Sequence, residues 1–103
     1  MVSRFLEKKV EIECDEFHQR PNSKLELEYY LLEREGGKSG DNESEKTFGI
    51  EILKKNDGVL NETKQYENIF NTREKTKGLV KLLAENTVTP STLPYILDDL
   101  LGM

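Results

Sequence analysis

The chain has a single cysteine, Cys14, and therefore forms no disulfide within itself. Its one histidine, His18, is the only other soft ligand, and two such groups fall short of the three or four that a zinc centre takes from protein. A catalytic Cys–His pair would need the two side chains in contact, whereas a strand-then-turn placement separates them along extended chain. The expectation is a small buried strand residue and a solvated turn histidine. Long apolar runs are also missing. The longest, Tyr29-Tyr30-Leu31-Leu32, is far short of a membrane span. The opening segment, MVSRFLEKKVEIE, lacks the apolar core of a secretory signal. A soluble cytoplasmic protein without membrane contact is expected. Gly36, Gly37 and Gly40 match neither the phosphate-loop nor the dinucleotide-binding spacing, so no nucleotide site is implied.

Positive charge is in deficit. Fifteen Lys and Arg stand against 20 Asp and Glu, a formal net charge of -5. Residues 1–71 hold 11 basic against 16 acidic groups, which accounts for the whole surplus, and residues 72–103 hold four of each. General nucleic-acid binding depends on neutralising phosphates, for which this balance is unsuited.

What is present is patterning. At 103 residues, 1–103 reads as a single domain with room for one core. Hydrophobic content is 35%, mean hydropathy -0.69 and charged content 34%, yet the apolar residues fall at useful spacings. Val10, Ile12 and Cys14 alternate with Glu11, Glu13 and Asp15, as in a strand with one buried face, and Phe5 and Leu6 extend it backwards. Pro21 and Asn22 punctuate a turn. Leu25, Leu27, Tyr29 and Leu31 alternate again, predicting a hairpin with the first strand. Residues 36–47, GGKSGDNESEKT, contain no apolar residue and read as a mobile loop. Phe48, Ile50 and Ile52 mark a third strand, Asn56-Asp57-Gly58 a tight turn, and a fourth strand lies within 59–70 in a register that the pattern does not define.

Two amphipathic helices follow, at about 73–86 and 91–101. Thr72 is a candidate N-cap, Asn86 suits the C-terminal end, and Gly78 is expected to pack closely against the sheet. The second helix starts either with Thr89 as cap and Pro90 first, or with Ser91 as cap and Pro94 in the first turn. Leu93, Ile96, Leu97, Leu100 and Leu101 form one buried face. Strands first and helices last define an α+β fold: an antiparallel sheet of about four strands over residues 5–70, with both helices on one face. The expected core is Val10, Ile12, Leu25, Leu27, Tyr29, Leu31, Phe48, Ile50, Ile52, Leu79, Leu82, Leu83, Ile96, Leu97 and Leu100.

No catalytic, cofactor-binding or metal-binding constellation emerges. Asp41, Glu43 and Glu45 lack the EF-hand order and its flanking helices, and read as an acidic loop. The helix pair is no DNA reader, because its second helix has Asp98 and Asp99 and no Lys or Arg. Two surfaces remain as candidates for contact with another protein or a second copy. Alternation sends Glu11, Glu13, Glu26, Glu28 and Glu51 to the sheet face away from the helices. Tyr95, Asp98 and Asp99 fall on the outer side of the last helix. The preferred reading is a non-enzymatic interaction or regulatory module without cofactor. A small-molecule-binding or enzymatic domain, with a pocket that the sequence does not display, stands second.

Tyr30-Leu31-Leu32-Glu33, Phe48-Gly49-Ile50-Glu51-Ile52 and Val88-Thr89-Pro90, followed by Leu93 and Ile96-Leu97-Asp98-Asp99-Leu100-Leu101, carry a family resemblance. The chain resembles a family of small uncharacterised proteins of Gram-positive anaerobes, a domain of unknown function. The resemblance spans most of the chain, implies a bacterial cytoplasmic protein, and transfers no catalytic residue.

Overall fold

The computed structural model describes residues 2–13, 24–35 and 46–102. Strands β1 (Val2–Glu13), β2 (Lys24–Glu35), β3 (Lys46–Asn56) and β4 (Val59–Phe70) form one antiparallel sheet in the order β1-β2-β3-β4. Helices α1 (Arg73–Glu85) and α2 (Leu93–Leu101) follow, completing the α+β arrangement. Cys14, His18 and residues 36–45 lie outside the described residues. Of the expected loop at 36–47, Lys46 and Thr47 already belong to β3.

Strand periodicity sorts the side chains. Leu27, Tyr29, Ile50 and Ile52, each at most 1% exposed, face the helices and pack with Leu79, Val80, Leu83, Val88, Leu93 and Leu97. Burying a side chain of this size stabilises by about 1.5–3 kcal/mol, so this layer carries most of the fold. Two expected core members sit elsewhere: Leu82 is 40% and Leu100 48% exposed. The reason is angular. Leu79, Val80, Leu82 and Leu83 span about 160° of the helix surface, more than one contact stripe can cover. The stripe that docks is Thr76, Leu79, Val80, Leu83 and Ala84, which leaves Leu82 beside it.

Asp57 (φ 52°) and Gly58 (φ 83°) both adopt positive φ, as a two-residue hairpin turn of type I′ requires. The turn is tied to β2: the Lys24 N–H donates to Asp57 Oδ1 at 2.8 Å, and the Asp57 N–H donates to the Lys24 carbonyl at 2.8 Å. The β3–β4 ladder shifts register between Lys54 and Lys55 and again between Phe48 and Ile50. Gly49 makes the second shift possible, because a Cβ there would stand 2.1 Å from the Tyr66 carbonyl oxygen. Asn68 takes the left-handed conformation (φ 58°) nearby, and its side-chain oxygen accepts from the Thr47 hydroxyl at 2.6 Å.

Thr72 caps α1, its hydroxyl accepting from the Lys75 N–H. Arg73 fastens this end to the sheet through an ion pair with Glu33, with the guanidinium 5.1 Å from the Phe5 ring and 5.8 Å from the Phe48 ring. Lys46 joins Glu33 at 3.1 Å. The start of α2 matches neither of the two expected caps: Thr92 is the N-cap, in αR conformation and without a side-chain cap bond, and Pro94 occupies the first turn. Thr89 starts the preceding turn, its carbonyl accepting from the Thr92 and Leu93 N–H groups.

Candidate functional site

The sheet face away from the helices holds Glu11, Glu26, Glu28 and Glu51 in a lattice of ion pairs. Register places Glu11 opposite Glu26, a like-charge pair that is destabilising by tenths of a kcal/mol when left alone. Lys9 Nζ lies 3.9 Å from Glu11 and 3.8 Å from Glu26, and Lys24 Nζ 3.6 Å from Glu11, which offsets the repulsion. Glu51 pairs with Arg4 at 2.7 Å, and the Arg4 guanidinium lies 4.4 Å from the centre of the Tyr30 ring. Glu28, only 7% exposed, accepts from the Tyr30 hydroxyl at 2.8 Å and from Lys55 Nζ at 3.1 Å. Burial pushes the Glu28 carboxyl up, but these two bonds, with the attraction of Lys55 and Lys9, outweigh it and hold the group below its ordinary value. The bond to Glu28, then burial, raise Tyr30 in turn. Four cations therefore meet Glu11, Glu26, Glu28 and Glu51 on one face, and little net negative charge is left there. Glu13 is in register with Lys24.

The second surface is a groove of ≈ 560 Å³ at the corner between the helices, a feature that the periodicities do not announce. Leu82, Leu83, Val88, Ile96 and Leu100 form its apolar walls, and Asn86, Thr87, Thr89, Thr92 and Asp99 its polar rim. The only sequence signal for it is the surplus of apolar positions on both helices. Tyr29 supports it from below, its hydroxyl donating to the Val88 carbonyl at 2.8 Å. Burial pushes that phenol up to about 12. Tyr95 stands 76% exposed on α2, with Asp98 and Asp99 also exposed.

The chain makes locally unfavourable choices in its two helices and at the end of α1. α1 ends in a Schellman motif, the Val88 N–H donating to the Leu83 carbonyl at 3.0 Å and the Thr87 N–H to the Ala84 carbonyl at 3.1 Å. The position that this motif reserves for glycine is Thr87, at φ 53°. A β-branched residue there costs about 1–2 kcal/mol. Gly78, expected against the sheet, faces solvent one turn before Leu82, and a Cβ added to it would meet nothing within 4 Å. Its cost of about 1 kcal/mol relative to Ala has no packing reason among the described residues. Asp98 and Asp99 occupy the C-terminal part of α2, the negative end of the helix dipole, and have no ion pair among the described residues.

The groove offers little for chemistry. Of its lining residues only Asp99 is ionisable, and it is exposed. Among the described residues no group of three or more His, Cys, Asp or Glu could hold a metal ion, and no helix is long and apolar enough to cross a membrane.

A four-stranded meander covered on one face by a helix pair, with an open apolar groove at the helix corner, defines a small α+β protein of the antiparallel type. The chain belongs to the family of unknown function DUF6514, whose profile matches residues 8–103. Comparison with curated proteins and comparison with solved structures return no match.

Proposed function

We propose that the protein is a non-enzymatic interaction module of the bacterial cytoplasm, in Gram-positive anaerobes, that holds another protein through the α1–α2 groove and the outer side of α2. The observation that carries this reading is the apolar groove flanked by Leu82 and Leu100, two leucines left about half exposed beside a well-filled core. The sheet face is the weaker candidate, because its carboxylates already have cations of their own. A volume of ≈ 560 Å³ also falls in the range of small-ligand sites, which favours an apolar small molecule as the second reading.

Affinity capture from the native cell with mass spectrometry tests the proposal when run on three proteins. These are the wild type, a Leu82→Ser/Leu100→Ser variant, and a Glu11→Gln/Glu26→Gln/Glu51→Gln variant. Both sets of substitutions fall on exposed or partly exposed positions, so the fold is retained. The expected result is a partner that is lost with the leucine variant and kept with the glutamine variant. The opposite pattern would transfer the contact to the sheet face and refute the proposal.

A further inference from the structure

We infer that the open edge of β1 pairs with β1 of a second copy, antiparallel and about a two-fold axis, so that the two sheets join into one. The contact lies on the sheet, apart from the α1–α2 groove. β1 is bonded to β2 alone, which leaves its other edge unpaired among the described residues. An edge of 12 residues with Phe5 39% and Leu6 53% exposed is a template for a further strand. β4, the opposite edge, is blunted by two register shifts and by the left-handed Asn68. A β1-to-β4 contact would also run on into filaments, whereas β1 on β1 closes.

The order of residues along β1 selects the second copy. A bulge between Leu6 and Lys8 sets Glu7 out of the ladder. Around it Phe5, Lys8 and Val10 face the helices, opposite Leu31, Tyr29 and Leu27, while Arg4, Leu6, Lys9 and Glu11 face away. A two-fold axis at Lys8 keeps each of these residues on its own face across the new pairing. It sets Arg4 opposite Glu11, Phe5 opposite Val10 and Leu6 opposite Lys9, with the two Glu7 carboxylates beside the two Lys8 ammonium groups at the axis. An axis midway between two residues would place inward side chains against outward ones. An axis at Leu6 would put Arg4 opposite Lys9, and one at Lys9 would put that lysine opposite itself. Of these, only the axis at Lys8 combines matched faces, opposite charges and the full length of the strand. Glu7 and Lys8 have no ion pair among the described residues, and Glu11 faces Glu26 with its lysines at 3.6 and 3.9 Å. The pairing supplies all three with an opposite charge. Phe5 and Val10 continue the apolar layer from one copy into the next, since Val10 already packs against the core.

Sedimentation equilibrium over about 10–300 μM protein tests the pairing. The expected result is a reversible dimer, at twice the chain mass of 11.9 kDa. Arg4→Glu and Glu11→Arg, each made alone, should weaken that dimer at least about tenfold, because like charges then meet at both Arg4–Glu11 contacts. Mixed in equal amounts, the two variants should form a heterodimer within about threefold of the wild-type affinity, since each reversed residue then meets its opposite. Circular dichroism establishes that each variant is folded. Hydrogen exchange on the wild type needs no substitution and decides the matter where a variant fails to fold. Amides between Arg4 and Glu11 should gain protection as concentration rises, and those of β4 should not. A chain that stays monomeric, or one that assembles beyond a dimer, overturns the inference. So does a dimer indifferent to either reversal, or a pair of folded variants that fails to associate on mixing. Concentration-dependent protection confined to the helix corner around Leu82 and Leu100 also overturns it, and moves the second copy to the groove.

Discussion

Replacing Tyr29 with Phe isolates the contact that ties the interhelical linker to the sheet. The ring stays in place at 1% exposure, and only the hydroxyl that donates to the Val88 carbonyl at 2.8 Å is removed. The bond itself is worth about 1 kcal/mol net, and a buried carbonyl left without its donor adds a penalty, so the loss at neutral pH should be about 1–3 kcal/mol. For a domain of this size each kcal/mol lowers the melting temperature by about 4–8 °C. Alkaline pH supplies an independent check. Burial pushes Tyr29 from its ordinary value of 10.0 to about 12, so the folded state keeps the phenol neutral where the unfolded state ionises. That stabilisation is complete below pH 10 and is lost as pH rises towards the folded value, at a limiting slope of about 1.4 kcal/mol per unit. The wild type should therefore lose stability more steeply than the variant above pH 10, and a part of the slope should persist in both because Tyr30 is also raised. Urea unfolding followed by circular dichroism, at pH 7 and in steps to about pH 11, measures both effects. A variant within about 0.3 kcal/mol of wild type at pH 7, or one with an unchanged alkaline slope, would refute the linker anchor.

Leu97→Asp places an unpaired carboxylate at a position 1% exposed, a loss of several kcal/mol that should abolish the cooperative thermal transition. An unchanged melting curve would show that α2 does not dock. Glu28→Gln removes the charge held by Tyr30 and Lys55 and should cost about 1–2 kcal/mol at pH 7. Because the folded carboxyl lies below its ordinary value of 4.5, its contribution is present above that pH and lost as pH falls through the folded value, so wild type and variant should converge in acid. Chemical unfolding at pH 7 and pH 3 decides this, and a gap of the same size at both would sink it.

Where the fold was legible, one period held over a whole element. Leu25, Leu27, Tyr29 and Leu31 alternate without interruption through β2, and β3 pairs with it without a shift. Asp57-Gly58 announced its turn because left-handed backbone is open to few residue types. β4 was illegible for the opposite reason. Its register slips twice against β3, and a bulge breaks the alternation from which facing is read. The clue that survives is Gly49, whose lack of a side chain lets the Tyr66–Glu67 backbone approach. The pattern marks both helices but gives each too wide an inner face. Leu82 and Leu100 count as apolar by any scale, and only the tilt of α1 and α2 on the sheet decides which of several apolar positions is left over.

The candidate site divides along the same line. Alternation was enough to place Glu11, Glu26, Glu28 and Glu51 on one face, since direction depends only on parity. It could not give the charge of that face, which depends on register and on how far lysine and arginine reach: Lys9 touches Glu26 on the next strand, and Arg4 on β1 reaches Glu51 on β3. The sequence pattern thus suggests an acidic sheet face, and in the folded chain Glu11, Glu26, Glu28 and Glu51 on that face each meet a cation. The carboxylates of α2 behave differently. Two carboxylates among nine residues are unremarkable in a composition that is one-third charged, yet they end with no cation among the described residues and at the negative end of their helix. Exposed pairs are worth little individually, so neutralising the sheet face adds little to stability and chiefly removes a field that would attract basic partners. Asp99, without an ion pair among the described residues, stands at the rim of the apolar groove. Under the reading proposed above, a contact at the groove would draw on apolar burial at Leu82 and Leu100 more than on charge, since Asp99 is the one ionisable group among its lining residues.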